Sequence, residues 1–138
     1  MGKPVCVDFR TLHGLEVVSL DLIVHNSGST EALRIVLADG SALVCKVWTD
    51  WTLIAEHRAD PVIPDYFWPP ADFALEPLVP GHRWEGAVIT SVRTTDNEVG
   101  ELYRADFEIG GHQVCTRSYG GEVVVTAEMS APRALMDP

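Results

Sequence analysis

The sequence lacks an apolar run long enough to span a membrane, and its first residues do not show the pattern of an export signal. Its longest apolar run, residues 17–24, is broken by Ser19 and Asp21, whereas a membrane helix needs about 20 apolar residues. The start, MGKPVCVDF, has no charged region followed by an apolar stretch and no small-residue cleavage site. We therefore expect a cytoplasmic protein that has no contact with a membrane.

Motifs of catalysis and of metal binding are also missing. The three cysteines are odd in number and form no Cys-x-x-Cys, so free thiols in a reducing compartment are expected. None of the five histidines has another at i+2 or i+4, which is the local spacing of many metal sites, and surface positions are expected for them. No Gly-x-Ser-x-Gly or phosphate-binding loop occurs. We predict no catalytic residue, metal or cofactor, which makes an enzyme the less favoured class.

Basic residues are scarce. Ten Lys and Arg stand against twenty Asp and Glu, which gives a formal net charge of −10. Nucleic acid is thereby disfavoured as a partner, because binding needs Lys and Arg to neutralise phosphates. A basic protein would instead be attracted and steered towards the chain. Acidity also promotes solubility, so charge alone does not prove a partner.

Two β-hairpins are the strongest pattern that the sequence does contain. Residues 32–46 hold Asp39-Gly40, and residues 103–117 hold Gly110-Gly111, each between two runs of apolar or alternating residues. Both dipeptides are typical of two-residue type I′ turns, whose central residues need positive φ. A two-residue turn at Asp39-Gly40 predicts that Ile35 lies opposite Val44.

The two hairpins differ in the character of their faces. The first is apolar on both faces, which predicts a central position in the sheet. The second alternates, which predicts one buried and one polar face. Its inward residues would be Tyr103, Ala105, Phe107, Ile109 and Val114, and its polar face would carry Arg104, Asp106, Glu108, Gln113 and Arg117.

Each hairpin belongs to a longer unit that occurs twice. Residues 12–24 and 52–56 read as strands, and residues 84–92 repeat the glycine and serine steps of residues 12–20. The chain is therefore predicted to be one domain, residues 1–138, with repeats at about 12–56 and 84–128 and a frayed tail at 129–138. The predicted fold is mostly β, with two four-stranded antiparallel units forming a sandwich or a barrel.

A segment rich in proline and aromatic residues connects the two repeats. We call residues 57–83 the crossover; they hold six prolines together with Tyr66, Phe67, Trp68 and Phe73. This density of proline excludes a long helix or a central strand, and the aromatics argue against a free linker. The crossover is expected to be ordered and to pack over a sheet edge or a pocket mouth.

A second topology is open at this stage, namely a duplicated βαβββ arrangement with helices at residues 11–24 and 84–97. With that topology, the length of the chain and its duplication resemble those of the vicinal-oxygen-chelate family. The resemblance covers architecture only. The family's metal ligands would include a Glu on the last strand of each module, and Glu56 and Glu128 stand there. No His occupies the first-strand position, and the family's Asp-Pro-x-Gly-Asn run is absent.

Two sets of residues are candidates for binding. Aromatic residues crowd the strand ends and the crossover, where a ligand pocket or protein interface is expected. Acidic residues lie just before the second hairpin and on its polar face. The candidates are Trp48, Trp51, Tyr66 and Trp68 in the first set and Glu101, Asp106 and Glu108 in the second. We expect a non-enzymatic acidic binding protein, such as an inhibitor or immunity-type partner of a basic protein, in which a homo-oligomer is possible. The alternative is a small-molecule-binding β-barrel or a metal-assisted enzyme of vicinal-oxygen-chelate type.

Overall fold

The computed structural model describes residues 5–130, which form one antiparallel sheet of nine strands. The strands are β1 (Glu16–His25), β2 (Thr30–Leu37), β3 (Ala42–Val47), β4 (Leu53–Arg58), β5 (Phe73–Pro77), β6 (Ala87–Asp96), β7 (Leu102–Ile109), β8 (His112–Tyr119) and β9 (Glu122–Met129). Short 3-10 turns at Phe9–Leu12 and Pro70–Asp72 are the helical elements of these residues. The predicted mostly-β class is confirmed. The predicted frayed tail lies, beyond Ser130, outside the described residues.

The strands are arranged as two meanders joined at their first strands. The order across the sheet is β4-β3-β2-β1-β6-β7-β8-β9, so we call β1–β4 the first meander and β6–β9 the second. β1 and β6 pair only at Glu16 with Val88 and at Val17 with Ala87, and β5 takes the same edge of β1 from Asp21 onward. The meanders therefore diverge and pack face to face without closing into a barrel.

The βαβββ alternative is wrong. Its two proposed helices coincide with β1 and β6. Both segments are rich in β-branched residues, which pack better on a pleated strand than on a helix. The architectural resemblance to the vicinal-oxygen-chelate family fails with these helices.

The core lies between the two meanders and takes residues from both. Its largest fully buried members are Leu20, Leu33, Ile35, Leu43, Leu53, Ile89, Phe107 and Ile109. Burying a side chain of this size contributes about 1.5–3 kcal/mol. Because each meander alone would expose its half of these residues, the two are expected to fold together.

The two hairpin turns differ. Gly110 and Gly111 have φ of 53° and 80°, and Ile109 pairs with His112, so the predicted type I′ turn is confirmed there. The first turn was predicted wrongly: Gly40 is at φ 89° but Asp39 is not at positive φ, and Leu37 N donates to Ser41 O. The loop has three residues, and Ile35 lies opposite Leu43 instead of Val44.

The register shifts in the pairing of β1 with β2 recur 72 residues later, in the pairing of β6 with β7. Register shifts interrupt the β1–β2 ladder between Val17 and Ser19, and the β6–β7 ladder between Ile89 and Ser91. A second shift follows in each ladder, between Ile23 and Val24 and between Thr95 and Asp96. The two meanders thus share one pattern of strand pairing, in which Arg34 of β2 corresponds to Asp106 of β7.

Candidate functional site

The crossover covers the outer face of the first meander, which is the face turned away from the shared core. Three crossover side chains, Ile63, Phe67 and Phe73, pack against three buried strand residues, Ile23, Ala32 and Val44. Crossover residues Ile63 and Phe67 therefore lie over a sheet face, while residues 73–77 form β5 and pair with an edge of β1. This cover explains why the first hairpin is apolar on both faces.

A partly buried ion pair anchors the crossover to the sheet. Arg34 on β2 and Asp21 on β1 are cross-strand neighbours, with 2.6 Å between Nη2 and Oδ2. Their side chains are 12% and 18% exposed. Arg34 Nη1 also donates a short hydrogen bond to the carbonyl oxygen of Pro61. One guanidinium thus binds both the sheet and the segment that covers it.

A second anchor joins Tyr66 to β3 and β4. The Nζ atom of Lys46, a residue only 7% exposed, lies 3.5 Å from the centre of the Tyr66 ring and 5.9 Å from that of Trp48. The Tyr66 hydroxyl donates to Glu56 Oε1 at 2.8 Å. Desolvation lowers the pKa of Lys46. Burial and the bond to Glu56 raise the pKa of Tyr66, although 42% of that residue's surface is exposed.

The outward side of the crossover combines an apolar depression with exposed aromatic groups. The depression has a volume of about 350 Å³ and is lined by Val62, Ile63, Pro64, Asp65, Phe67 and Pro70. Beside it in sequence, Trp68 is 75% exposed and Tyr66 is 42% exposed. We call these eight residues the crossover surface. An apolar pocket with exposed aromatics has the make-up of a protein-binding hot spot.

The formal charges within the crossover between Arg58 and Arg83 have one sign. Residues 59–82 contain four acidic residues and no Lys or Arg. Of the four, Asp60, Asp65 and Glu76 are exposed, and Asp72 is half-buried. The nearby cations of the first meander are occupied: Asp21 holds Arg34, Lys46 lies under Tyr66, and Glu56 pairs with Arg58, whose guanidinium is 5.8 Å from the Tyr66 ring. The exposed charge of this segment is therefore negative.

The Trp51 side chain lies against the second meander. It occupies the turn between β3 and β4 with φ of 69° and is 63% exposed. Its indole lies so close to the β8–β9 turn that a Cβ on Gly121 would sit 2.9 Å from Nε1. The structure therefore brings Trp48 and Tyr66 together around Lys46, and it places Trp51 against the second meander.

The predicted acidic residues of the second hairpin lie on the outer face of the second meander. Asp106 is held by Arg104 through two hydrogen bonds of 2.9 and 3.0 Å, and Glu108 accepts one from Gln113. A polar depression of about 380 Å³ there is also lined by Arg93 and Arg117 among others. Three arginines on this face offset its carboxylates, so it is not uniformly negative. Glu101 lies away from it, in the exposed β6–β7 turn.

Neither a reactive thiol nor a metal centre emerges from the described part of the chain. All three cysteines are free. Burial and the neighbouring Asp106 raise the pKa of Cys115, which disfavours a thiolate. Among residues 5–130 no three His, Cys, Asp or Glu side chains converge as metal ligands. No helix of the same residues is long and apolar enough to cross a membrane.

Several residues of interest were missed or misplaced by sequence reasoning. His112 is 5% exposed and packs against Trp84 and His82 with ring centres 4.9 and 4.5 Å apart, so the surface position expected for it is wrong. His112 shares the inward face of β8 with Val114, so the period-2 alternation of the strand could have predicted its burial. The Arg34 and Lys46 anchors depend on contacts with the crossover, for which the sequence gives no local signal.

Comparison with protein-family models, with curated proteins and with solved structures finds no match for this chain.

Proposed function

We propose that the protein is a non-enzymatic acidic binding module whose crossover surface docks a basic partner protein. The observation that carries the proposal is the coincidence of the apolar depression, the exposed Trp68 and Tyr66, and a segment with four acidic residues and no basic one. A partner with an apolar anchor flanked by Lys or Arg would fill the depression and meet the negative charge. An inhibitor or immunity-type role is consistent with such a surface.

The way the crossover is held also supports the proposal. Arg34 and Lys46 fix its inner side to the sheet, so its outer side is ordered before a partner arrives. A preorganised surface binds more tightly because less conformational entropy is lost on association. The acidic charge accelerates encounter with a basic protein, and this acceleration weakens as salt rises.

The crossover surface is preferred to the second hairpin for a physical reason. Asp106 is already neutralised by Arg104, and Arg93 and Arg117 share its face. A basic partner would meet these arginines there, and like charges in contact disfavour association. Asp106, Glu108 and Glu101 remain predicted binding residues that the experiment below compares directly.

Affinity capture from an extract of the native organism tests the proposal. Three baits are compared: the unchanged chain, a Trp68→Ala/Asp65→Lys variant, and an Asp106→Lys/Glu108→Lys variant as the matched control on the other meander. We expect a basic protein to be retained by the unchanged chain and by the control, and to be lost by the crossover variant. Loss by the Asp106/Glu108 variant alone would move the site to the second hairpin. Retention of the same proteins by all three baits would refute both sites.

A further inference from the structure

In the part of the chain that the structure describes, the outer face of the second meander consists of exposed and half-buried side chains, whereas the equivalent face of the first meander lies under the crossover. Strand pairing arranges its side chains in three rows that cross β6, β7, β8 and β9 in that order. The rows are Ser91-Glu108-Gln113-Glu128, Arg93-Asp106-Cys115-Thr126 and Thr95-Arg104-Arg117-Val124. We call these twelve residues the open face.

The charges of the open face form bands. The first row carries Glu108 and Glu128, and the third carries Arg104 and Arg117. The centre row holds one charge of each sign. Successive rows are two residues apart along the strands, so the acidic and basic rows are separated by roughly 13 Å. One end of the face is therefore negative and the other positive.

The arginines of this face keep donors for a further partner. Arg104 binds Asp106 through Nε and Nη2, which leaves Nη1 for another acceptor. Neither Arg93 nor Arg117 has an ion-pair partner among residues 5–130. The contact recorded for Arg117 is with the ring of Tyr119, at 5.2 Å. Partly exposed charges of both signs are thus available in separate bands.

From this banding we infer that the open face binds a second copy of the same chain, face to face. A twofold axis along the centre row turns the acidic row of each copy onto the basic row of the other, as an isologous interface requires. Glu108 on β7 of one copy then faces the partner's Arg104, which lies on β7 of the other copy. Glu128 is offset sideways by one strand spacing, about 4.8 Å, from the position opposite the partner's Arg117, a gap that two long side chains can bridge.

The centre row meets itself across the same axis. Asp106 faces its own copy but is already paired with Arg104, and Arg93 lies at the end of the row on β6, where it can turn aside. Cys115 faces the partner's Cys115. Four strands and three rows cover roughly 400 Å² per copy, or about 800 Å² in total, which is below the roughly 1,000 Å² of a stable specific interface and in the range of a weak, transient one. The dimer is therefore weak and sensitive to salt, and it leaves the crossover surface free.

Exchanging the charges of the rows tests this inference by sedimentation at low and high salt. The unchanged chain should dimerise at low salt and dissociate as salt rises. Glu108→Arg/Glu128→Arg and Arg104→Glu/Arg117→Glu should each weaken dimerisation at least tenfold. An equal mixture of the two variants should form a heterodimer, and the variant with all four changes should dimerise again. Circular dichroism establishes that each variant is folded, and Glu128→Arg with Arg117→Glu provides the same pairing test if the Arg104 variant does not fold.

A cross-link provides a second readout. A short thiol-to-thiol reagent should join two copies through Cys115 at low salt, and Cys115→Ser should abolish the product. The inference is overturned if the unchanged chain remains monomeric at about millimolar concentration. It is equally overturned if the row variants dimerise as the unchanged chain does, or if the cross-link persists without Cys115. None of these outcomes depends on the basic partner proposed for the crossover surface.

Discussion

Gly40 and Trp51 occupy the same position in two successive hairpin turns. Gly40 N donates to Leu37 O at 3.0 Å and Trp51 N donates to Trp48 O at 2.8 Å, and both residues have positive φ. In each turn the preceding aspartate accepts hydrogen bonds from the following Ser41 or Thr52. Glycine tolerates this conformation, whereas in a tryptophan it costs about 1–3 kcal/mol.

Replacing the tryptophan should therefore stabilise the fold. We expect Trp51→Gly to raise the free energy of unfolding by about 0.5–1 kcal/mol, because the backbone strain removed exceeds the entropy cost of glycine. Gly40→Ala is the matched control and should lose about 1 kcal/mol at the equivalent position. Urea denaturation measures both. A destabilised Trp51→Gly variant would show that the contact with Gly121 outweighs the strain.

The Arg34 anchor should determine whether the crossover stays on the sheet. Arg34→Met leaves the half-buried Asp21 unpaired and should cost about 3 kcal/mol. The crossover should then become sensitive to limited proteolysis. Arg58→Met is the control, because its ion pair is longer, at 3.4 Å, its guanidinium is more exposed, at 31%, and Glu56 keeps the hydrogen bond from Tyr66; it should cost less than about 1 kcal/mol. Adding Asp21→Leu to Arg34→Met should recover much of the stability; no recovery would argue against the unpaired charge as the cause.

Tyr66 should make the protein less stable in alkaline solution. Its pKa is raised in the fold, so above about pH 10 the unfolded chain loses a proton that the folded chain keeps, and stability falls. The lowered pKa of Lys46 acts in the opposite direction, because stability rises as pH approaches about 10.5. Tyr66→Phe removes only the first effect. Urea unfolding at about pH 8 and pH 11 should show a smaller alkaline loss in this variant, and equal losses would contradict the assignment.

The three thiols should react differently in the folded chain. Complete burial raises the pKa of Cys45 to about 12, and the pKa of Cys115 is also raised. Because the thiolate is the reactive form, titration of the native protein should find fewer than three reactive thiols. Unfolding without reductant should expose all three. A single thiol under those conditions would reveal a disulfide.

Local patterns in the sequence predicted the strands but not their tertiary cover. Period-2 alternation identified the buried face of the second hairpin, where Ala105, Phe107 and Ile109 are fully buried. The length of the turn at Asp39-Gly40 was predicted wrongly because the Asp-Gly dipeptide fits both two-residue and three-residue loops. The register of the two strands decides between these loops.

The candidate site was only partly predictable. Density of proline and aromatics marked the crossover, and Tyr66 and Trp68 were named from it. The buried roles of Arg34 and Lys46 were not predicted, because both depend on residues more than 19 positions away along the chain, Pro61 and Tyr66. Asp106 was named for its charge, but its pairing with Arg104 depends on how two neighbouring side chains of one strand turn towards each other.

The rate of association with the captured partner tests the central claim most directly. Stopped-flow measurements at several salt concentrations would compare the unchanged chain with Asp65→Asn and Asp65→Lys, since Asp65 lines the apolar depression of the crossover surface. We expect association to slow progressively, several-fold for Asp65→Lys at low salt, with a flatter salt dependence and unchanged thermal stability. Equal rates and equal salt dependence for all three chains would contradict docking of a basic protein at the crossover surface.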